Sequence, residues 1–553
     1  MAEIIQLDFA GGLQSGGHPA KIPDNAYYFL QNARTREGGI EAIKKPKKIT
    51  NGIPEEANLQ GIYCVGNYMV LFADGKALFK DLTQDDSIPF STIPFFDMSP
   101  SVDFIYAQAV PLSSMDFLRK AGSSVDAPTT LIASNISGTP ACVVCQDGIN
   151  QPTLIFPNAT SRKAQLYEEW GLDNREYIPV GKQMCVADVK LYILSPDGKQ
   201  IYQSVSGRYL DFVVNITSTG NKGGDASTTS HSVNFNQLNA ITTVSGNDVS
   251  NFFVGSALSS HLILPDINNT IFGEPKFRNI SVLPTGPLNQ FSYVDILGDS
   301  IIIDSKGLRS VNATQQLLTE SNNDIFSTPV FPFFTKVVQD ITCVGAFDNY
   351  VHFAVKTVYG YGILIYDLST EAFISFDQYE GIGAIKQFSE AKVGGIYKLY
   401  FITADNELYE AYASEETATA VLHGKELCKF KPKEQLQFRE GRVQFTNIIS
   451  SGIINASAMV DRSEYSLGSR NVVGEAKELG SPYPLNTGEG NPAAPFIFTN
   501  SPIPLGYSIG FRISWNFDGE LQSISFEADV KAQQVSNHQK AIGYQGGSQP
   551  ITY

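Results

Sequence analysis

Cysteine is scarce. Six in 553 residues are too few to staple a chain of this length, and a disulfide scaffold is excluded. Cys142 and Cys145 stand in the β-like run ACVVCQDG, where residues three apart point to opposite faces of a strand, so they read as buried free thiols, not a zinc or redox pair. Histidine is as sparse: His18, His231, His261, His352, His423 and His538 are scattered singly, with no HxxxH or HExxH spacing, which leaves no metal-ligand set and no cofactor to expect. There is no GxSxG elbow, and GGLQSGG lacks the GKS or GKT ending and the preceding apolar strand of a phosphate loop. Apolar runs such as YMVLFA and KLYFIT reach only strand length, so no segment is expected to span a membrane. The start MAEIIQLDFAGG has no basic stretch followed by an apolar one, and no signal peptide is expected. Positive charge is also short. A net charge of −16 argues against a sequence-reading nucleic-acid binder, which would need a basic surface to neutralise phosphates.

What is present is aromatic and turn-rich: 25 tyrosines, 35 phenylalanines and 47 glycines, with only 17% charged residues, a balance that favours strands over long helices. A degenerate unit recurs, in which a strand, a tight polar turn and a second strand often pass through another Gly or Asx turn into a third. GIYCVGNYMVLFADGKALFKDL turns at Gly66 and Asn67 and again at Asp74 and Gly75. MCVADVKLYILSPDGKQIYQSVSG turns at Asp197 and Gly198, and FSYVDILGDSIIIDSKGLRSVNA at Gly298 and Asp299 and at Lys306 and Gly307. Two further copies turn at Asp348 and Asn349 and at Asp405 and Asn406. Apolar runs flanking an Asx or Gly pair are the mark of antiparallel hairpins. One such small sheet cannot cover its own faces, and stacking the copies radially would. The fold class expected is therefore all-β: an irregular β-propeller of about six or seven blades with an additional C-terminal β-sandwich-like domain; other sandwich arrangements of the same strands are the alternative. Read in order, residues 1–50 form an N-terminal arm and first hairpin, 51–412 the propeller with a Ser/Thr/Gly/Asn-rich insertion near 215–240, 413–530 the sandwich-like domain, and 531–553 a flexible or docking tail.

Chemistry is thin in this pattern. Acids beside aromatics in YEEWGLDNREY, Tyr167 to Tyr177, and in LYEAYASEE could grip a sugar, since propellers can be glycosidases. Glu168 and Glu169 are the acids to test in that reading. The one basic concentration, Lys44, Lys45, Lys47 and Lys48, contains Pro46 and no interleaved aromatic, so it reads as a solvated edge or an intersubunit ion-pair strip, not a base-stacking surface. No catalytic, cofactor or metal residues are expected, and the chain is expected not to be an enzyme; the residues singled out are the structural turns named above.

A family resemblance then enters. The order F.GGL followed by IPDNAYYFLQNARTREGGIEAIKKP, from Phe9 to about Lys48, resembles the N-terminal segment of tail proteins of short-tailed bacteriophages. SGRYLDF, GGDAS, FFVGS and then TIFGEPKFRNISVLPTGPLNQFSYVDILGDSIIIDSKGLRSVNA look like the middle of those proteins, and GELQSISFEADV resembles their last strand pair. The family is that of the podovirus-like tail nozzle, hub or tubular proteins, including those of crAss-like phages. The resemblance implies a structural virion protein, made in the host bacterial cytoplasm, that forms a homo-oligomeric ring, six- or twelve-fold. It implies other tail, portal-ring and fibre proteins as partners, no membrane, and passage of genomic DNA without sequence-specific binding. Negative charge lining such a channel would keep phosphates from sticking. The alternative is a carbohydrate-binding or depolymerising propeller of a receptor-binding apparatus.

Overall fold

A computed structural model describes residues 2–16, 18–36, 39–111, 141–155, 161–163, 178–187, 189–204, 209–210, 212, 241–247, 251–256, 259–271, 274–283, 286–296, 299–304, 307–310, 337–428, 434–474, 495–499 and 503–532. Strands dominate them, and one 3-10 turn, Pro19–Lys21, is the helical element among the described residues. Contacts divide the chain into two units: Lys44–Phe373 with Asp377–Glu416, and Met1–Ile43 with Ile374–Phe376 and Thr417–Tyr553.

The first unit is a seven-bladed β-propeller. Its blades begin with the strands Leu59–Val65, Tyr106–Pro111, Gln183–Ala187, Ile241–Asn247, Tyr293–Ile296, Val338–Phe347 and Ile385–Val393. Each heads a separate antiparallel sheet of three or four strands. These opening strands touch in cyclic order, the last meeting the first, so they line the axis. The ring closes through the chain itself: Lys47–Ile49 pairs with Leu408–Glu410 and supplies the outer strand of the seventh blade.

Blade stacking follows from strand alternation. On Tyr68–Ala73, Met69, Leu71 and Ala73 pack with Tyr400, Ile402 and Leu408 of the seventh blade. Val70 and Phe72 point the other way, onto Val143, Cys145 and Ile155 of the second. Two faces buried at once account for the continuous apolar run, where a half-exposed strand would alternate. The same rule sends Cys142 into a cluster with Leu154 and Met184 while Cys145 joins the opposite one. Both are free buried thiols, as expected, and burial pushes the Cys145 thiol well above its usual range. Near the axis, glycine is required where the opening strands of the sixth and seventh blades approach each other: a Cβ on Gly345 would stand 2.6 Å from Phe388 Cβ.

The second unit is a β-sandwich of two six-stranded sheets. One has the order Ala33–Arg36, Gly39–Ala42, Glu520–Ala532, Glu434–Thr446, Phe496–Thr499, with Ala2–Gln6 also on Glu520–Ala532. The other has the order Phe29–Gln31, Ala420–His423, Ser508–Trp515, Gly452–Val460, Ser463–Val472, with Leu427–Cys428 beside Ser508–Trp515. Ile509, Phe511, Ile513 and Trp515 alternate inward and are buried. Phe511 meets Phe438 at 5.9 Å and Trp515 meets Phe445 at 5.6 Å across the two sheets, the aromatic interleaving that fills a sandwich core.

The first 43 residues are therefore not an arm set apart. They give strands to both sheets of the sandwich, and the propeller is an insertion between its N-terminal strands and the rest. The division falls at Glu416 and Thr417, and the last strand runs to Ala532. The insertion read near 215–240 lies outside the described residues, as does 533–553.

Candidate functional site

Within each blade the turns alternate between two ends of the propeller. Gly66 and Asn67, and Asp348 and Asn349, join first to second strands at one end. Asp74 and Gly75, Asp197 and Gly198, and Asp405 and Asn406 join second to third strands at the other, here called the front. The backbone explains the residue choice: Gly66, Asp74, Gly75, Gly198, Asp348 and Asn406 have φ between 49° and 74°, the left-handed region that Gly, Asn and Asp tolerate. Gly298 and Lys306 lie outside the described residues.

These turns are not isolated loops. Asn406 Oδ1 accepts from Leu59 N at 3.0 Å, carrying a turn of the seventh blade onto the first. Asp74 Oδ1 accepts from Asn58 N at 3.0 Å. Asp147, between the second and third strands of the second blade, accepts from Ser99 N, Ile149 N and Asn150 N. Burial alone would raise its carboxyl, but these N–H donors hold it below the usual carboxylate range.

A device that sequence reading missed lies beneath them. In four blades the opening strand bulges near its front end, at Gln60, Thr242, Thr342 and Lys386. A bulge re-aims one side chain. Gln60, fully buried, donates Nε2 to Ser99 O at 2.9 Å and Val102 O at 2.7 Å, while Oε1 accepts from Gly75 N at 2.5 Å. Lys386 donates Nζ to Leu59 O at 2.8 Å and lies 5.2 Å over the Phe104 ring.

The front end of the axis is filled by aromatics. Phe104, from the link into the second blade, and Phe291, from the link into the fifth, meet at 4.7 Å between centroids. Tyr106 lies 6.3 Å from Phe291, nearly parallel to it at 15°. Gln183 Nε2 of the third blade donates to Gln290 O at 3.3 Å. Burial holds the Lys386 ammonium below its usual range, with Asp103 opposing the shift. It pushes the Tyr106 hydroxyl up, with Asp103 acting in the same direction. The arrangement is a half-buried aromatic mouth with one amine beside it, suited to contact and stacking.

The other sequence candidates fall elsewhere. The lysine run is the closing strand and its approach: Lys45 pairs with Glu416 at 2.7 Å, Lys48 with Glu407 at 2.5 Å, and Lys47 with Asp86 of the first blade. The run is thus an ion-pair strip whose partners among the described residues belong to this same chain. Of the acids of LYEAYASEE, Glu416 is the one paired with Lys45; Glu410 stands opposite Lys47 in the ladder but pairs with Lys398 at 3.0 Å, and Glu415 meets Lys44 through its backbone O at 3.3 Å. Tyr167 to Tyr177, with Glu168 and Glu169, lies outside the described residues. His352 is a buried strand residue whose Nε2 lies 2.7 Å from Tyr412 OH.

No family model and no curated protein matches the chain. Among solved structures it is similar to the CNH domain of AfRom2, at 10% identity and a TM-score of 0.36 over 66% of this chain and 98% of that one. It is similar also to the N-terminal domain of Nup159, at 10% identity and 0.32 over 70% and 99%, and to the WD40 domain of SCAP from fission yeast, at 10% and 0.32 over 65% and 85%. The propeller assignment rests on the chain's own closed ring of blades.

Proposed function

We propose that the chain is a structural subunit of a virion tail, the ring-forming nozzle or hub of a short-tailed bacteriophage, acting through shape and contact surface without making or breaking a bond. The observation that carries the reading is the fate of the segment Phe9 to Lys48, which bears the family resemblance. It builds Phe29–Gln31, Ala33–Arg36 and Gly39–Ala42 into the sandwich and leads directly into the closing strand of the propeller. A signature that is architectural throughout is what a protein working by assembly would carry.

With Phe104 against Phe291 at 4.7 Å, the axis of one propeller is far too narrow for a duplex. In this reading DNA passes through the space enclosed by several subunits, and the net charge of −16 keeps phosphates from adhering to the wall. Closed cyclic assembly needs two different patches per subunit.

Purified chain, alone and mixed with the products of neighbouring reading frames, would be imaged by negative stain and weighed by mass photometry. Closed six- or twelve-fold rings are expected. A monomer that persists at assembly concentrations with its tail neighbours present would overturn the reading.

A further inference from the structure

The front end of the propeller carries large apolar side chains that the core does not use. Phe95 is 86% exposed and Tyr359 77%, with Ile149, Val358 and Leu288 also exposed. All five stand on front-end turns or on the links between blades that open there. Two are fixed. Phe95 is held at φ 62°, a conformation that is unfavourable for a bulky residue and persists only where its surroundings impose it. Its loop is tied down by Ile93 N to Ala77 O at 2.8 Å and Met98 N to Gly75 O at 2.9 Å. Tyr359 tips a two-residue turn in which Thr357 Oγ1 donates to Gly360 O at 2.7 Å and accepts from Tyr359 N at 3.1 Å, while Gln378 Nε2 donates to Tyr359 O at 3.2 Å. Exposed aromatics on pinned loops lose little entropy when covered.

Among the described residues, charge on the same end has one prevailing sign. Glu55, Glu56, Asp74, Asp103, Glu380 and Asp405 are exposed, and none has an ion-pair partner among the described residues. Lys76 and Lys48 are engaged by Asp97 and Glu407, and Lys386 by Leu59 O and Phe104. Among the described residues Lys182, Lys199 and Lys356 remain, so acids predominate there.

We infer that the front end of the propeller is a docking surface for a protein segment that alternates basic and apolar side chains. The apolar members cover Phe95, Tyr359 and the aromatic mouth, and the basic members face the acids between them. Complementary charge sets the orientation and the encounter rate, and the aromatics supply most of the affinity. A nucleic acid is repelled by the same acids, and a second copy of this acidic chain lacks the charge. The inference does not depend on the tail assignment, because it concerns one propeller and not the ring.

The test is photo-cross-linking of the full chain by a synthetic peptide alternating lysine and leucine and carrying a benzophenone, with sites mapped by mass spectrometry. Labels are expected on 94–104, 147–151, 358–361 and 378–383. Phe95→Ser with Tyr359→Ser should reduce labelling at least about tenfold, and Glu380→Lys with Asp405→Lys should do the same. These residues are exposed, so unchanged circular dichroism and Tm would show that each variant folds. A lysine–serine peptide should label weakly and a glutamate–leucine peptide not at all. Labels spread over the whole surface, labelling indifferent to either pair of substitutions, or equal labelling by the lysine–serine peptide would overturn the inference. So would a front-end variant that changes the sedimentation of the free chain, since the occupant would then be a second copy. Failure of ring assembly would leave these outcomes unaffected.

Discussion

Replacing Gln60 by leucine should do more damage than its conservative volume suggests. The side chain is fully buried at a bulge of the first blade and uses its amide for three hydrogen bonds, two given and one accepted. Leucine leaves Gly75 N, Ser99 O and Val102 O without that partner. Each lost bond to a buried or half-buried backbone group costs about 1 kcal/mol, so a total of about 2–4 kcal/mol is expected. The damage should be local, because Ser99 and Val102 belong to the link that delivers Phe104 to the mouth, and Gly75 to a front turn. Hydrogen exchange followed by mass spectrometry should therefore show faster exchange across 94–105 and at 74–76, with strands of the fifth and sixth blades unchanged. Urea unfolding gives the magnitude. A loss below about 0.5 kcal/mol, with exchange unaltered at 94–105, would refute the claim that the bulge exists to aim this amide.

The legible parts of the fold were the local ones. Asp74 with Gly75, and Asp348 with Asn349, announce hairpins because a positive φ restricts which residues can stand there, a rule acting over four residues. CVVC was readable for the same reason, since the period of a strand alone separates its two thiols. Pairings across the chain were not readable in this way. Lys47–Ile49 meets Leu408–Glu410 from more than 350 positions away, and nothing in KKPKK specifies that its partners are Glu407 and Asp86. Ala2–Gln6 pairs with residues 524–528, so a glycine-rich start that looks like an arm becomes part of a sandwich. The mouth was hidden for both reasons: Phe104 and Phe291 lie in links between repeats, where no period operates, and a bulge such as that at Lys386 breaks the very alternation by which strands are recognised. Among the sequence's own signals, the polar residue interrupting an apolar opening strand, as Gln60 does between Leu59 and Ile62, was the one that could have pointed there.

Two further outcomes follow from the charges. Lys47→Gln with Lys48→Gln should loosen the closing strand: exposed pairs of this kind contribute about 0.2–1 kcal/mol each at low salt and little at high salt. Exchange at Leu408–Glu410 should accelerate in dilute buffer and converge with the parent protein in about 0.5 M salt, whereas a difference unaffected by salt would mean that the strand is held by its ladder alone. The other concerns Glu426, buried in the sandwich, whose carboxylate lies 3.1 Å from His423 Nε2 and accepts from Ser508 Oγ. Burial alone would raise this carboxyl, but the imidazole of His423 beside it and the hydrogen bond from Ser508 hold it below the ordinary glutamate value of 4.5. A carboxyl depressed by folding stabilises the fold above that value, and its contribution is lost as pH falls through the lower, folded one. Glu426→Gln should therefore cost about 1–3 kcal/mol near neutrality, where it breaks charge-assisted bonds, and the deficit should shrink below pH 4.5 as the parent carboxylate protonates. Denaturation midpoints measured from pH 7 downward give the comparison. Curves that stay parallel through the acid range would show that the charge of Glu426 contributes nothing, and that its place beside Gly510, whose Cβ would stand 2.7 Å from Glu426 Cγ, is a matter of packing only.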